Sequence, residues 1–513
     1  MLEGRTLWEL IERRAADTPD AEMAVDEDGR RLTFRQYHDA CERAAAGLAA
    51  RGVGEGDVVS WQLPTWIESL VLVGALARLG ATQNPILPIY RRREVGFVVR
   101  QARTRLLVVP GTWKGFDFGS MADDIAGEVS GLEVLVCDRA LPDGDPPALP
   151  APPTAPEDPE DLPVRWLFYT SGTTADPKGA QHTDATIAAI ARGMGQRYDV
   201  GPADRGAMVF PFTHVGGITW LLTGLMFGSA SILVEAFDPA TTIGVLAQEG
   251  VTLAGAGTPF HMAYLAAQRA NPDVALFPAV RAFPGGGAPK PAGLHDDVKR
   301  ELGGVGILSG YGLTEAPILT LVAVDDPDDK KADTEGRPMP GVDLRVVTLD
   351  GRRAAPGEEG EIRAKAPQLM KGYLDAALDA EAFDEDGYFR TGDLGVQDDD
   401  GYVAITGRLK DIIIRKGENI SAKEVEDLLF AHPKVADVAV VGLPDAASGE
   451  RACAVVVCAD AAEPLTADEM RAHLTDAGLM VQKVPEQLEV VEGLPRNPTG
   501  KVLKHELRAT YSA

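Results

Sequence analysis

The run Phe168-Tyr169-Thr170-Ser171-Gly172-Thr173-Thr174-Ala175-Asp176-Pro177-Lys178-Gly179-Ala180 gathers hydroxyls, a free glycine backbone and one lysine into thirteen residues with almost no bulk. Hydroxyls and backbone N–H groups donate to phosphate oxygens, and Lys178 adds positive charge, so a curved row of these groups forms an anion nest. The same composition also describes an ordinary polar turn. No Gly-Lys-Ser/Thr closes the run, so it is not a Walker A loop.

Three further clusters carry chemistry. Tyr311-Gly312-Leu313-Thr314-Glu315 joins a flat aromatic, an unhindered backbone, a hydroxyl and a carboxylate. Such groups can stack on a base, donate to phosphate and ligate Mg²⁺; a tight turn after a strand at Val305–Ser309 is the plainer reading. In Tyr388-Phe389-Arg390-Thr391-Gly392-Asp393, Asp393 can accept hydrogen bonds from two ribose hydroxyls, or merely sit on a Gly-Asp turn. Arg408 and Lys410 lie in a basic run from Gly407 to Gly417, where Lys410 is a candidate hinge. Lys501, on the Pro/Gly-built loop Leu494–Val502, can bridge a carboxylate and an α-phosphate and neutralise charge as the phosphorus becomes pentavalent.

Elements must position these groups. Thr33 with Gln36 reads as a capping box ahead of Tyr37, Cys41, Ala44 and Leu48 at helical spacing. Asp57–Trp61 and Leu106–Val109 read as strands, and Thr65 with Glu68 as the start of an apolar helix ending near Gly80. This alternation predicts α/β architecture with parallel sheets. Nine prolines between Leu141 and Pro163 predict an exposed connector into a strand at Val164–Tyr169. Strands at Ala207–Pro211, Ser231–Glu235, Thr252–Ala256 and Ala279–Pro284 follow, with helices at Ile218–Leu225 and Ala240–Gln248. Beyond Gly336 the runs Val342–Val347 and Gly360–Ala364 predict a small β-rich subdomain. Ser421 with Glu424, strands at Val438–Val441 and Ala452–Val457 and a helix at Thr466–Leu474 predict an α+β unit. The expected domains are therefore 1–408 and 409–513.

Composition narrows the class. The 513 residues carry a net charge of −27, which argues against nucleic acid and against anionic membrane surfaces. Four cysteines without metal-like grouping read as buried thiols in a reducing compartment. No run reaches the roughly eighteen apolar residues a membrane span needs, and no signal pattern opens the chain. The expectation is a cytoplasmic protein without a transmembrane segment.

Taken in order, Thr-Ser-Gly-Thr-Thr…Pro-Lys-Gly, Tyr-Gly-Leu-Thr-Glu, Phe-Arg-Thr-Gly-Asp, Gly-Arg-Leu-Lys-Asp and Pro-Arg-Asn-Pro-Thr-Gly-Lys resemble the adenylate-forming superfamily over essentially the whole chain, with the acyl-CoA synthetases its nearest branch. The resemblance implies a large N-terminal domain and a small mobile C-terminal one, with ATP, Mg²⁺ and CoA as cofactor and co-substrates. It implies that Thr170, Ser171, Gly172, Thr173, Thr174 and Lys178 hold the β- and γ-phosphates. Gly287, Ala288, Pro289, Ser309, Gly310, Tyr311 and Gly312 would line the adenine site. Thr314 would contact the α-phosphate, Glu315 and Thr174 would serve Mg²⁺, and Asp393 and Arg408 would bind ribose. Lys501 would drive adenylation. The C-terminal domain would then swing about Lys410, bringing Gly417 and Glu418 to the pantetheine tunnel. Ala175 stands where glycine is more usual.

The acid is read from Phe212-Thr213-His214-Val215-Gly216-Gly217. Amino-acid-activating relatives carry an aspartate here to pair the ammonium group, and this chain has none, which favours a plain carboxylic acid. His214 would gate the acyl pocket, with Gly216, Gly217, Trp220, Gly285, Gly286, Ala316, Pro317 and Ile318 as an apolar wall of small residues. That wall suits a fatty, alicyclic or sterol-side-chain acid. An aromatic-acid CoA ligase and an acyl-AMP ligase loading a carrier protein are the alternatives, and a homodimer is compatible with the sequence. A luciferase-like oxidase would keep the same motifs, whereas a catalytically dead scaffold would have lost Glu315, Asp393 or Lys501.

Overall fold

The computed structural model describes all residues except 159–160, 171–176, 288–289, 416–417, 446–447, 497–500 and 513. One sheet has the strand order Lys178–His182, Trp166–Thr170, Thr82–Pro85, Val58–Trp61, Leu106–Val109, Glu133–Val136. All neighbours in it are parallel except the first pair. A second sheet runs Arg31–Thr33, Glu22–Asp26, Ala230–Leu233, Arg205–Met208. Leu253 bridges Gly206 on one side and Ala282 on the other, so this sheet continues towards Phe283–Gly286, Ile307–Leu313, Ala316–Leu321 and Arg337–Pro338. The predicted strand at Thr252–Ala256 is reduced to that bridge.

The helix Ile67–Leu79 is buried along nearly its whole length, in a core it shares with residues of both sheets. Leu70, Leu72 and Leu76 are each at most 1% exposed, and burying each side chain stabilises the fold by about 1.5–3 kcal/mol. Gly80 ends the helix in the left-handed region, as its position predicts (φ 68°). The start differs from the expectation. Trp66, not Thr65, is the N-cap, and it makes no side-chain cap bond. The Thr65 hydroxyl instead donates to the Phe210 carbonyl and accepts from the Phe212 amide, both at 3.1 Å. A tertiary contact has overridden a local cap.

The Thr33 and Gln36 capping box forms, heading the helix Phe34–Ala50. The proline-rich connector is less exposed than its composition suggests. Leu141 and Leu149 pack on the core, and the Pro150 carbonyl accepts from Arg78 at 2.8 Å. The predicted β-rich subdomain is an antiparallel sheet of Asp343–Val347, Gly360–Lys365, Phe389–Gln397 and Val403–Arg408. A 3-10 turn, Leu409–Asp411, leads into the last sheet, of Glu418–Ser421, Ile412–Arg415, Gly449–Cys458, Val435–Asp445 and Gln487–Val491. The helices Ala422–Phe430 and Ala467–Asp476 share its apolar core. Among the described residues no helix is long and apolar enough to cross a membrane. Cys41, Cys137 and Cys453 are buried free thiols, each with its pKa pushed up by burial.

Candidate active site

The strands Trp166–Thr170 and Lys178–His182 pair antiparallel, with Lys178 directly opposite Thr170. Thr170 thus closes the first of these paired strands and Lys178 opens the second. Ser171, Gly172, Thr173, Thr174 and Ala175 lie outside the described residues, as do Ala288, Pro289 and Gly417. Glu418 opens the strand Glu418–Ser421.

Tyr311-Gly312-Leu313 is not a turn. The strand Ile307–Leu313 runs through it, and only Thr314 and Glu315 form the reversal into Ala316–Leu321. The register slips between Tyr311 and Leu313, and there a Cβ on Gly312 would stand 2.1 Å from the Ile318 nitrogen. Gly312 is thus required by the hairpin's own closure.

The reversal is held from two sides. His182 lies 2.9 Å, through Nε2, from the Thr314 carbonyl, and its Nδ1 lies 3.1 Å from the Thr186 hydroxyl. Burial lowers the His182 pKa to about 4, so the ring is neutral. A carbonyl only accepts, so Nε2 carries the proton. On the other side Tyr373 Oη donates to Glu315 Oε1 at 2.7 Å, and the Met370 amide donates to the Glu315 carbonyl at 2.8 Å. The Lys178 ammonium lies 5.4 Å from the centroid of the Tyr373 ring. One tyrosine therefore joins the lysine of the first motif to the carboxylate of the second. Sequence reasoning missed both Tyr373 and His182. His182 follows Lys178 on the same strand and was within reach of a closer reading, whereas Lys371-Gly372-Tyr373 carries no signal of its own.

Asp393 also departs from its expected turn. It sits within the strand Phe389–Gln397, directly opposite Arg408. Gly392, at φ 70°, supplies the left-handed residue just before it. Asp393 is 3% exposed. Its Oδ2 accepts from Tyr311 Oη at 2.8 Å, and its Oδ1 pairs with Arg408 Nε at 2.8 Å. Burial and the Asp393 charge push the Tyr311 hydroxyl pKa well up, so it stays a donor.

Tyr311, Asp393 and Arg408 open on a cleft of about 490 Å³ between the β-sheets before residue 409 and the unit that follows, whereas Thr170, Lys178, Ser309, Thr314 and Glu315 do not line it. Gly287, Gly310, Tyr311, Gly312, Asp393, Arg408, Lys410 and Lys501 all line it. Burial, reinforced by the Arg408 charge, lowers the Lys501 pKa to about 8, and Asp393 opposes that shift. Lys410 is lowered by burial and by Arg408 as well. Eight lysines and arginines line the cleft against six carboxylates, a local excess of positive charge in a protein of net charge −27, which is the focusing an anionic ligand needs.

The predicted acyl-pocket residues do not line this cleft. His214 caps the helix Val215–Phe227, its Nδ1 accepting from the Gly216 amide at 3.1 Å, and burial lowers its pKa to about 4. Gly217 is small for packing, since a Cβ there would meet the Phe212 carbonyl at 2.5 Å. Trp220 stacks on Tyr198 with centroids 6.0 Å apart. A Cβ on Gly285 would meet His261 at 3.0 Å. Ala316 opens the hairpin's second strand and is fully buried in the core with Tyr311 and Tyr373.

Among the described residues no group of three or more His, Cys, Asp and Glu could hold a metal alone. Mg²⁺ needs less, because it is commonly bound by one or two carboxylates together with substrate phosphates. Glu315 fits that role. Only Oε1 is engaged by Tyr373, and its Oε2 makes no hydrogen bond among the described residues.

The chain matches the AMP-binding enzyme family over residues 11–374 and the AMP-binding enzyme C-terminal domain over residues 424–501. It is 32% identical to the medium-chain fatty-acid–CoA ligase of Escherichia coli, over 98% of this chain and 90% of that protein. It is also 32% identical to the salicyl-AMP ligase / salicyl-S-ArCP synthetase of Mycobacterium tuberculosis, again over 98% and 90%. The o-succinylbenzoate coenzyme A synthetase of Bacillus subtilis, solved in complex with ATP and magnesium ion, superposes with a TM-score of 0.84 at 26% identity, over 97% of this chain and 98% of that one. The chain belongs to the AMP-binding enzyme family of adenylate-forming proteins and is an AMP-forming acid–CoA ligase.

Proposed function

We propose that this ligase activates an apolar carboxylic acid, of the fatty, alicyclic or sterol-side-chain kind, as its acyl-adenylate. It then passes the acyl group to the thiol of CoA, with AMP and pyrophosphate as the other products. The observation that carries this reading is the convergence of Asp393, Arg408 and Lys501 on one cleft beside the Gly310–Gly312 strand. In this reading Asp393 and Arg408 hold the ribose, and Thr170 and Lys178 stand over the β- and γ-phosphates. Lys501 lies against the α-phosphate, where its charge offsets the negative charge that builds as the acid's oxygen attacks. Glu315 and Thr174 would hold Mg²⁺, whose charge neutralises the departing pyrophosphate. His182 fixes the Thr314 backbone, so that the threonine meets the α-phosphate in one position.

Transfer to CoA would follow a rotation of residues 409–513 about Lys410. The Leu409–Asp411 turn that joins the two strands is the natural place for the dihedral change. The apolar acid rests on the sequence rather than on the cleft's lining: residues 212–217 and the helix Val215–Phe227 carry no Asp, Glu, Lys or Arg, although none of these residues lines the cleft. An ammonium or second carboxylate would find no partner there.

The test is a panel of fatty, alicyclic, sterol-side-chain and aromatic acids with ATP, Mg²⁺ and CoA, following AMP and thioester together. The expected result is stoichiometric AMP and thioester with apolar acids. AMP release without thioester for every acid would point to a carrier protein as acceptor and sink the CoA assignment. Turnover confined to charged or aromatic acids would sink the apolar one.

A further inference from the structure

Glu335 is a partly buried carboxylate on the same cleft that the reaction above leaves unused. Its backbone is fixed on both sides. The Glu335 amide donates to the Val403 carbonyl at 2.8 Å, and its carbonyl accepts from the Thr320 hydroxyl at 2.7 Å. Its side chain is aimed by Oε2, which accepts from the Ile405 amide at 3.0 Å. Apart from the Ile405 amide and a contact with its own amide, the carboxylate has no hydrogen-bond or ion-pair partner among the described residues. Two cations line the cleft near it, but each is engaged elsewhere. Lys290 donates to the Lys331 carbonyl, and Lys423 pairs with Asp427 at 2.6 Å. Burial pushes the Glu335 pKa up, and the fields of Lys290 and Lys423 oppose that shift.

The position of Glu335 relative to Asp393 is what gives it meaning. Arg408, the partner of Asp393, and Ile405, the partner of Glu335, belong to one strand, Val403–Arg408. Three residues of regular strand span about 10 Å, and the bulge between Ile405 and Gly407 shortens this stretch somewhat. That is close to the reach of a purine nucleoside from its ribose hydroxyls to the outer edge of its base. Tyr311, bonded to Asp393, and Ile405, bonded to Glu335, line the same cleft and offer flat and apolar surface there.

We propose that Glu335 reads the base of the nucleotide, its Oε1 accepting a hydrogen bond from the exocyclic amino group of adenine. A 6-oxo purine presents a carbonyl oxygen at that point, which cannot donate and is repelled by a carboxylate. A site built to take a donor rejects the analogue that lacks it, because its own buried group is left unpaired. This inference rests on the nucleotide reading of the cleft given above.

The experiment compares AMP and IMP binding to the full chain by calorimetry, for the wild type, Glu335→Gln and Glu335→Val. The wild type is expected to bind AMP more tightly than IMP by about tenfold to a hundredfold, the range for a hydrogen bond to a charged group. In Glu335→Gln the amide can turn its nitrogen to the 6-oxo group, so the AMP-to-IMP ratio falls at least several-fold. In Glu335→Val the ratio falls too, with AMP weakened. A purely structural glutamate would lower both affinities together and leave the ratio unchanged, which would overturn the inference while leaving the nucleotide site standing. A wild type that binds neither nucleotide overturns the nucleotide reading, and this one with it.

Discussion

Asp393 and Arg408 face each other across two antiparallel strands, with Arg408 Nε 2.8 Å from Asp393 Oδ1. Tyr311 takes the other oxygen at 2.8 Å, so this buried carboxylate is oriented before any ligand arrives. Preorientation of this kind lowers the cost of ordering on binding.

Asp393→Asn should therefore weaken ATP far more than it weakens the acid. Loss of hydrogen bonds to a charged group costs about 1.5–3 kcal/mol. The KM for ATP should rise about tenfold to a hundredfold on that scale. Steady-state kinetics with ATP and the acid varied in turn checks this, and equal rises for both substrates would contradict it. Some fall in melting temperature is also expected, because Arg408 loses its partner.

The Tyr373 bridge makes a second prediction. Tyr373→Phe keeps the ring beneath Lys178 but removes the donor to Glu315 Oε1. Glu315 then gains rotamer freedom, and the Mg²⁺ concentration for half-maximal adenylation should rise about tenfold, the scale of one such hydrogen bond. Tyr373→Leu removes the ring as well and should also raise the KM for ATP. A Mg²⁺ titration of pyrophosphate exchange separates the two. No change in the Mg²⁺ requirement of Tyr373→Phe would show the tyrosine to be packing only.

These two cases mark what the sequence could and could not tell. The helix Phe34–Ala50, its capping box, the stop at Gly80 and the order of motifs were legible because each depends on residues a few positions apart. Asp393 was misread as a turn because Gly392 and Gly395 flank it. Only the pairing with Val403–Arg408 reveals a strand with one left-handed residue. Tyr373 and Glu315 are 58 residues apart, and no local period links them. Thr65 looked like a cap by spacing, but Phe210 and Phe212 claimed its hydroxyl. Ala316 looked like a pocket wall because it is small, and its burial in the core at the start of the hairpin's second strand shows that small size serves packing too.

Lys501→Ala should divide the two half-reactions. Adenylation should fall by at least about a hundredfold, as for removal of one oxyanion-stabilising donor. Conversion of supplied acyl-adenylate and CoA to thioester should stay within a few-fold of wild type. Equal loss in both would contradict a lysine that serves only the first step.

The same lysine predicts how adenylation depends on pH. Lys501 must be protonated to offset charge at the α-phosphate, and its pKa in the free protein is lowered to about 8, first by burial and then by Arg408. Because the charged form is the active one, activity is full below that pKa and is lost as pH rises through it. The free-enzyme value governs kcat/KM for ATP, whereas kcat reports the complex. Bound triphosphate adds negative charge beside Lys501 and raises its pKa, so kcat should hold to higher pH than kcat/KM. Lys501→Arg keeps its charge throughout and should abolish the fall near pH 8, even at a lower absolute rate. Pyrophosphate exchange from pH 6.5 to about 9.5 for both proteins provides the check, over a range that spans the lowered value and stops short of the ordinary lysine pKa. A wild-type kcat/KM that stays flat across that range would mean that Lys501 does not act through its charge.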